Sequence, residues 1–177
     1  MKRDELVVQG WLLCWGRLDT VTTSLNEIWA RASKGIAAAA VILDADRRVL
    51  LVKHSYGRLN WEVPGGAAER DETPTETALR EVREETGLLV TVERLTGIYY
   101  EHQGPEREAL HFVFLCRVMD DTARPYPACD EITACSYWAP DALPRPISDF
   151  TVRRIQDAFT EPGPLLPVAI SPRHWLA

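Results

Sequence analysis

Three glutamates, Glu81, Glu84 and Glu85, stand at spacings i, i+3 and i+4 in the chain. On a helix that spacing stacks their carboxylates on one face, with β-carbons about 5–6 Å apart. Like charges so placed repel, and a divalent cation relieves the repulsion. Hard oxygen donors select Mg²⁺ or Mn²⁺ over softer metals. The surroundings are acidic as well: from Gly66 to Leu88 seven acids face three arginines. For three glutamates taken alone, a solvated acidic helix face is the plainer reading. Arg80 has Glu76 at i−4 and Glu84 at i+4, which suits it to orienting glutamates by ion pairs rather than to touching a substrate.

These residues need a helix, and the sequence supplies its punctuation. Thr73 is a capping residue with Pro74 at the first helical position and Glu76 as capping-box partner; Ala78, Leu79, Val82 and Thr86 recur at helical spacing, and Gly87 ends the run. Pro64-Gly65-Gly66 just before it predicts a loop of special backbone conformation. Upstream, Ile36 to Leu43, a turn at 44–47 and Val49 to His54 predict a β-hairpin, and Asn60 to Val63 a further short strand. Downstream, Val90 to Tyr100, Ala109 to Val118 and Ile132 to Trp138 have strand character, separated by polar or proline-containing loops at 101–108 and 120–130. Asp149 to Phe159 predicts a second helix, with Val152, Ile155 and Phe159 apolar.

The ends differ in texture. The first 34 residues hold Trp11, Trp15 and Trp29, and Ser24 with Glu27 forms a capping box ahead of the stripe Leu25, Ile28, Trp29 and Ala32. They read as a helical extension that packs on the main domain, meets a second subunit or covers a ligand. After Glu161, Pro162, Pro164, Pro167 and Pro172 exclude regular helix, so the tail is expected to lie extended along the surface. The expected division is an extension over 1–34, a main domain over 35–160 and a proline-rich tail over 161–177.

Composition bounds the class. Of 177 residues 46% are hydrophobic and 26% charged, ordinary values for a folded globular chain rather than a disordered or disulfide-stapled one. A net charge of −6 gives no general basic field for a nucleic-acid polymer or an anionic membrane. The longest apolar run, Ile36 to Leu43, is far short of the ~18 residues of a spanning helix. Leu6 to Trp15 is interrupted by Gln9 and Gly10 and preceded by Asp4 and Glu5, so export is not expected and the location expected is cytoplasmic. Cys14, Cys116, Cys129 and Cys135 form no Cys-x-x-Cys pair and read as reduced structural thiols.

The stretch from Gly66 through Glu72, Arg80-Glu81-Val82 and Glu84-Glu85 to Gly87-Leu88 matches the Nudix box at every specified position. From average residue usage such a match recurs by chance with a probability on the order of 10⁻⁹ per window. The chain therefore resembles the Nudix hydrolases, over roughly residues 35 to 160. The resemblance implies an α/β fold, an α/β/α sandwich around a mixed sheet, here with the N-terminal helical extension added. It also implies hydrolysis of a nucleoside diphosphate linked to a group X, dependent on Mg²⁺ or Mn²⁺. Carried over residue by residue, Glu81, Glu84 and Glu85 form the core of the metal site, one carboxylate taking a proton from water. The Gly65 carbonyl is a further ligand, Arg80 an orienting partner and Glu72 mainly structural.

Many members add a carboxylate from a later loop. Glu131 is the first candidate, with Glu101, Glu106 and Glu108 behind it and Asp130 able to serve the same role. For substrate, Lys53, His54, Tyr56 and Arg58 are placed to meet phosphate or base, and Tyr99, Tyr100 and His102 offer stacking surfaces, although an aromatic at strand spacing is more often core. The partner expected is a small nucleotide, with no nucleic-acid polymer and no membrane, and the extension is compatible with a homodimer. The group X stays open. The family's ADP-ribose hydrolases carry a proline about fifteen residues beyond the box, where this chain has Gln103 and, later, Pro105; Tyr99 and Tyr100 fall short of the tyrosine of dinucleoside polyphosphate hydrolases. Two other readings compete: a nucleotide-binding sensor without turnover, and an isopentenyl diphosphate isomerase-like activity that would ask a cysteine such as Cys116 to act.

Overall fold

The computed structural model describes residues 34–102, 108–161, 168–170 and 174–176. The expected N-terminal helix, Cys14, Gln103, Pro105 and Glu106 lie outside them. Ten strands and two helices are described: β1 (Gly35–Ile42), β2 (Val49–His54), β3 (Trp61–Glu62), β4 (Gly65–Ala67), α1 (Pro74–Thr86), β5 (Val90–His102), β6 (Glu108–Val118), β7 (Ile132–Trp138), β8 (Ile147–Ser148), α2 (Asp149–Phe159), β9 (Val168–Ile170) and β10 (Trp175–Leu176).

The strands form two five-stranded sheets, in the orders β4-β1-β6-β5-β9 and β10-β8-β3-β2-β7. β1 is an interior strand of the first, antiparallel to β4 and parallel to β6, and β2 an interior strand of the second, antiparallel to both β3 and β7. The side-chain alternation of β1 decides the layering. Ala38, Ala40 and Ile42, with Leu50, pack against Ala78 and Val82 of α1; Ala39 and Val41, with Val49, Leu51 and Trp61, share a core with Phe150, Ile155 and Ala158 of α2. A helix thus covers each face, the α/β/α arrangement.

Two local expectations differ from the structure. β1 and β2 are consecutive but are not a hairpin: a single bridge, Leu43 to Val49, joins them, and each pairs on both edges with other strands. Val49 to Val52 and Val41 to Ile42 are fully buried, so both strands belong inside a sheet rather than at an edge. The turn between them is held by Asp44, whose carboxylate accepts from the backbone N–H groups of Asp46 and Arg48 at 3.1 and 2.8 Å. Second, Gly65–Ala67 is a short strand rather than a free loop, paired with Ala37 to Ala39 of β1. The same holds beyond the expected loop at 101–108, since β5 runs on to His102 and β6 begins at Glu108.

α1 begins and ends as its residues dictate. The Thr73 hydroxyl accepts from the Glu76 N–H at 3.3 Å, and the Glu76 carboxylate accepts from the Thr73 N–H at 2.9 Å. Gly87 closes the helix at φ 70°, its N–H donating to the Arg83 carbonyl. α2 is capped by Ser148 at its start, and at its end the Arg94 guanidinium donates to the carbonyls of Ala158 and Thr160. The described pieces of the proline-rich tail are extended, and each is hydrogen-bonded into a sheet: β9 beside β5, and β10 beside β8.

Candidate functional site

The site is built where α1 passes behind β4. A β-carbon on Gly66 would stand 2.4 Å from Glu81 Oε1, so the glycine lets the strand run against that carboxylate without displacing it. Arg80 ties the helix to the preceding loop. Its Nε and Nη2 grip the two oxygens of Glu72 at 2.7 and 3.0 Å, and Nη2 also donates to the Ala67 carbonyl at 3.0 Å. Its Nη1 donates to Glu81 Oε1 at 2.8 Å and Glu84 Oε2 at 2.9 Å. The guanidinium thereby sets the direction of two glutamates at once. Its partner on the N-terminal side is Glu72 rather than Glu76, because Glu76 is engaged in capping the helix. The Arg80 contacts, with N–H and hydroxyl donors from Glu69 and Thr77, hold the Glu72 carboxyl down at about 2.

Glu85 is the buried member of the set, 7% exposed, and its Oε2 accepts from the Gly65 N–H at 3.0 Å. Burial pushes its pKa up to about 8 against that hydrogen bond, and the charges of Glu81, Glu62 and Glu131 add to the rise. Burial raises Glu81 too, with Arg80 opposing. Glu84 is the exposed one, its side chain 54% accessible.

Glu131, just before β7, is exposed, and its charge acts on Glu85, Tyr56 and His54. Its segment is stitched to the loop after β2: Ser55 N–H donates to the Glu131 carbonyl at 2.8 Å, and the Ser55 hydroxyl to the Asp130 carbonyl at 2.9 Å. In that loop the rings of His54 and Tyr56 stack at 4.9 Å and 8°. Burial and the charges of Glu131, Glu85 and Glu81 raise the Tyr56 pKa, while burial lowers that of His54. Arg58 is exposed and stacks on Trp175, 5.1 Å from the ring centroid. Lys53, on β2, accepts the Thr133 hydroxyl at its carbonyl.

Other candidates stand in groups of their own. Tyr100 lies under the Lys34 ammonium at 5.0 Å and beside His102, and Glu108 pairs with both Lys34 and His102. Glu101 is buried against His111 at 2.9 Å. Tyr99 is a core residue, fully buried, its hydroxyl donating to Asp157 at 2.7 Å.

One acid that sequence reasoning passed over is Glu62. It is buried on β3, accepts from the Val63 N–H and the Thr151 hydroxyl, pairs with Arg154, and its charge reaches Glu85 and His54. The available signal was an acid between two core positions, Trp61 and Val63. Burial pushes the Cys116 thiol up to about 12, which unfits it as a catalytic nucleophile.

Among the described residues no three His, Cys, Asp or Glu side chains converge to hold an ion. Glu81 and Glu84 turn instead toward Arg80. The donor chemistry nonetheless fits a hard divalent cation. All the donors are oxygens, and Glu85 is buried among like charges that such a cation would neutralise.

Comparison with known proteins gives the family of the chain. A NUDIX domain profile matches residues 33–158. A MutT-like protein of Streptomyces ambofaciens is 34% identical over 129 residues, which cover 73% of this chain and 79% of that protein. An ADP-ribose pyrophosphatase of Methanocaldococcus jannaschii is 29% identical over 107 residues, 59% of this chain and 62% of that protein. The solved structure of an ADP-ribose pyrophosphatase from Streptococcus suis shares the fold with a TM-score of 0.60, at 23% identity, over 78% of this chain and all of that one.

Proposed function

The chain belongs to the NUDIX family, hydrolases of nucleoside diphosphate-linked compounds, and from that premise we propose that it cleaves a diphosphate bond in a nucleotide with help from Mg²⁺ or Mn²⁺. The observation that carries the reading is the carboxylate set of α1 held against β4, with Arg80 directing Glu81 and Glu84 and the Gly65 N–H directing Glu85.

Glu81, Glu84 and Glu85, with Glu131 and the Gly65 carbonyl, would hold the cation. When bound, a divalent ion neutralises diphosphate oxygens and lowers the pKa of water. The rest falls to the chain. Water attacks phosphorus and gives its proton to a carboxylate of this set; the bridging P–O bond breaks, and its electrons leave with the phosphate oxygen. Arg80 keeps Glu81 and Glu84 from splaying apart, and Glu72 keeps Arg80 in place. The stacked His54–Tyr56 pair offers a face to a planar base next to the acids. X is a phosphate, as in oxidised nucleoside triphosphates, or a sugar, as in ADP-ribose and nucleotide sugars.

A product-resolved turnover panel tests this: nucleoside triphosphates, oxidised nucleotides, ADP-ribose, nucleotide sugars and dinucleoside polyphosphates, each with Mg²⁺ or Mn²⁺. Glu84→Gln, exposed enough to leave the fold intact, serves as the comparison and is expected to lose about 10²-fold or more in kcat. Metal-dependent cleavage of one class, lost in the variant, identifies X. Nucleotide binding with no turnover on any substrate would replace the hydrolase with a sensor.

A further inference from the structure

The C-terminal strand β10 lies far in sequence from the box, yet it is joined to the loop that flanks the acids. Trp175 pairs with Ser148 and Leu176 with Ile147, and β8 in turn pairs with Trp61 of β3. His174 fastens the same strand to the start of α2: its N–H and Nδ1 meet the Asp149 carboxylate at 3.0 and 3.1 Å, and its carbonyl accepts from the Asp149 N–H at 2.9 Å. Trp175 is therefore held in place, and its ring face carries the Arg58 guanidinium.

The loop that bears Arg58 is itself tightly shaped. It closes through the Leu59 N–H to the Tyr56 carbonyl and the His54 N–H to the Asn60 carbonyl, with Gly57 at φ 59° and the non-glycine Leu59 at φ 52°. Ser55 ties it to the Glu131 and Asp130 carbonyls, Tyr56 feels the charges of Glu131, Glu85 and Glu81, and Arg58 lies over the Trp175 ring. Among the described residues the Arg58 guanidinium makes no hydrogen bond or ion pair, so its donors stay available while the indole holds it in place. A guanidinium held over a ring, exposed and unneutralised, on the loop that Ser55 ties to Asp130 and Glu131, is fitted to receive an oxyanion.

We propose that β10 is a working part of the active site: Trp175 is a positioning residue that presents Arg58 to a phosphate oxygen of the nucleoside diphosphate substrate. The inference rests on the hydrolase reading above. Trp175 touches no substrate; it acts through Arg58 by restricting where the guanidinium can sit.

The test uses the full chain, titrating ADP calorimetrically in the presence of Mg²⁺ and measuring steady-state kinetics on the substrate selected by the panel. Trp175→Leu keeps apolar bulk in the strand and removes the aromatic face; Trp175→Phe keeps a face. Trp175→Leu and Arg58→Ala are each expected to weaken ADP binding and raise KM by about tenfold with kcat nearly unchanged. The double variant should be no worse than either single one, Trp175→Phe should recover most of the affinity, and Arg58→Lys should not. A purely structural role for Trp175 would lower the melting temperature and leave the KM-to-kcat split unmoved. Trp175→Leu binding as the wild type does, or losses that multiply in the double variant, would overturn the proposal. A wild type that neither binds ADP nor turns over any panel member overturns the hydrolase reading along with it, and does so before any variant is made.

Discussion

Arg80 shows how much one side chain can organise. It bridges Glu72, Glu81, Glu84 and the Ala67 carbonyl, using the planar fork that a lysine lacks. Glu72 anchors it, and the anchoring has a pH signature. The folded-state pKa of Glu72 is depressed from 4.5 to about 2, so its contribution to stability is present above about pH 4.5 and disappears as pH falls through about 2. Glu72→Gln should therefore melt below the wild type at neutral pH, with the gap closing between pH 4.5 and 2 in thermal scans; a gap independent of pH would refute it. At this scale the sequence was generous for α1, since Glu81, Glu84, Glu85 and Arg80 stand on one helix and helical spacing alone groups them. It was silent on Glu62 and on Trp175, whose neighbours come from strands far along the chain.

The elements divide along the same line of local against distant. The capping box of Thr73 and Glu76 and the stop at Gly87 were legible because every partner lies within a few residues. Gly87 also makes a contact that no spacing reveals: a β-carbon there would lie 2.2 Å from Cε1 of Tyr126, which is strapped to the helix end by its N–H to the Thr86 carbonyl. Gly87→Ala meets both the left-handed backbone and that ring, so it is expected to destabilise by about 1–2 kcal/mol or more, while Thr73→Ala should cost about 1 kcal/mol. Denaturant titration measures both, and a neutral Gly87→Ala would contradict the φ of 70°. β1 and β2 were recognisable as strands from their apolar runs. Their assignment to different sheets was not, because adjacency in the chain favours a hairpin and only the demand for partners on both edges overrules it.

For the whole molecule, the binding of a divalent cation and the stability of the fold should be linked. A cation held by Glu81, Glu84, Glu85 and Glu131 favours the folded state by mass action. Mg²⁺ or Mn²⁺ is expected to raise the melting temperature with concentration, EDTA to reverse the rise, and Glu85→Gln to flatten it; an unchanged response in that variant would remove Glu85 from the ligand set. The α/β/α architecture was legible only through the resemblance that the box carries, whereas the two edge strands after Glu161 were hidden by their prolines. Those strands have a bearing on synthesis. β9 completes one sheet and β10 the other, so a chain emerging from the ribosome carries its finished box helix while β5 and β8 still lack their last neighbours. Each edge stays open until its own strand, 168–170 for β5 and 175–176 for β8, has cleared the exit tunnel, and over that interval a nascent chain is open to pairing with another copy of itself.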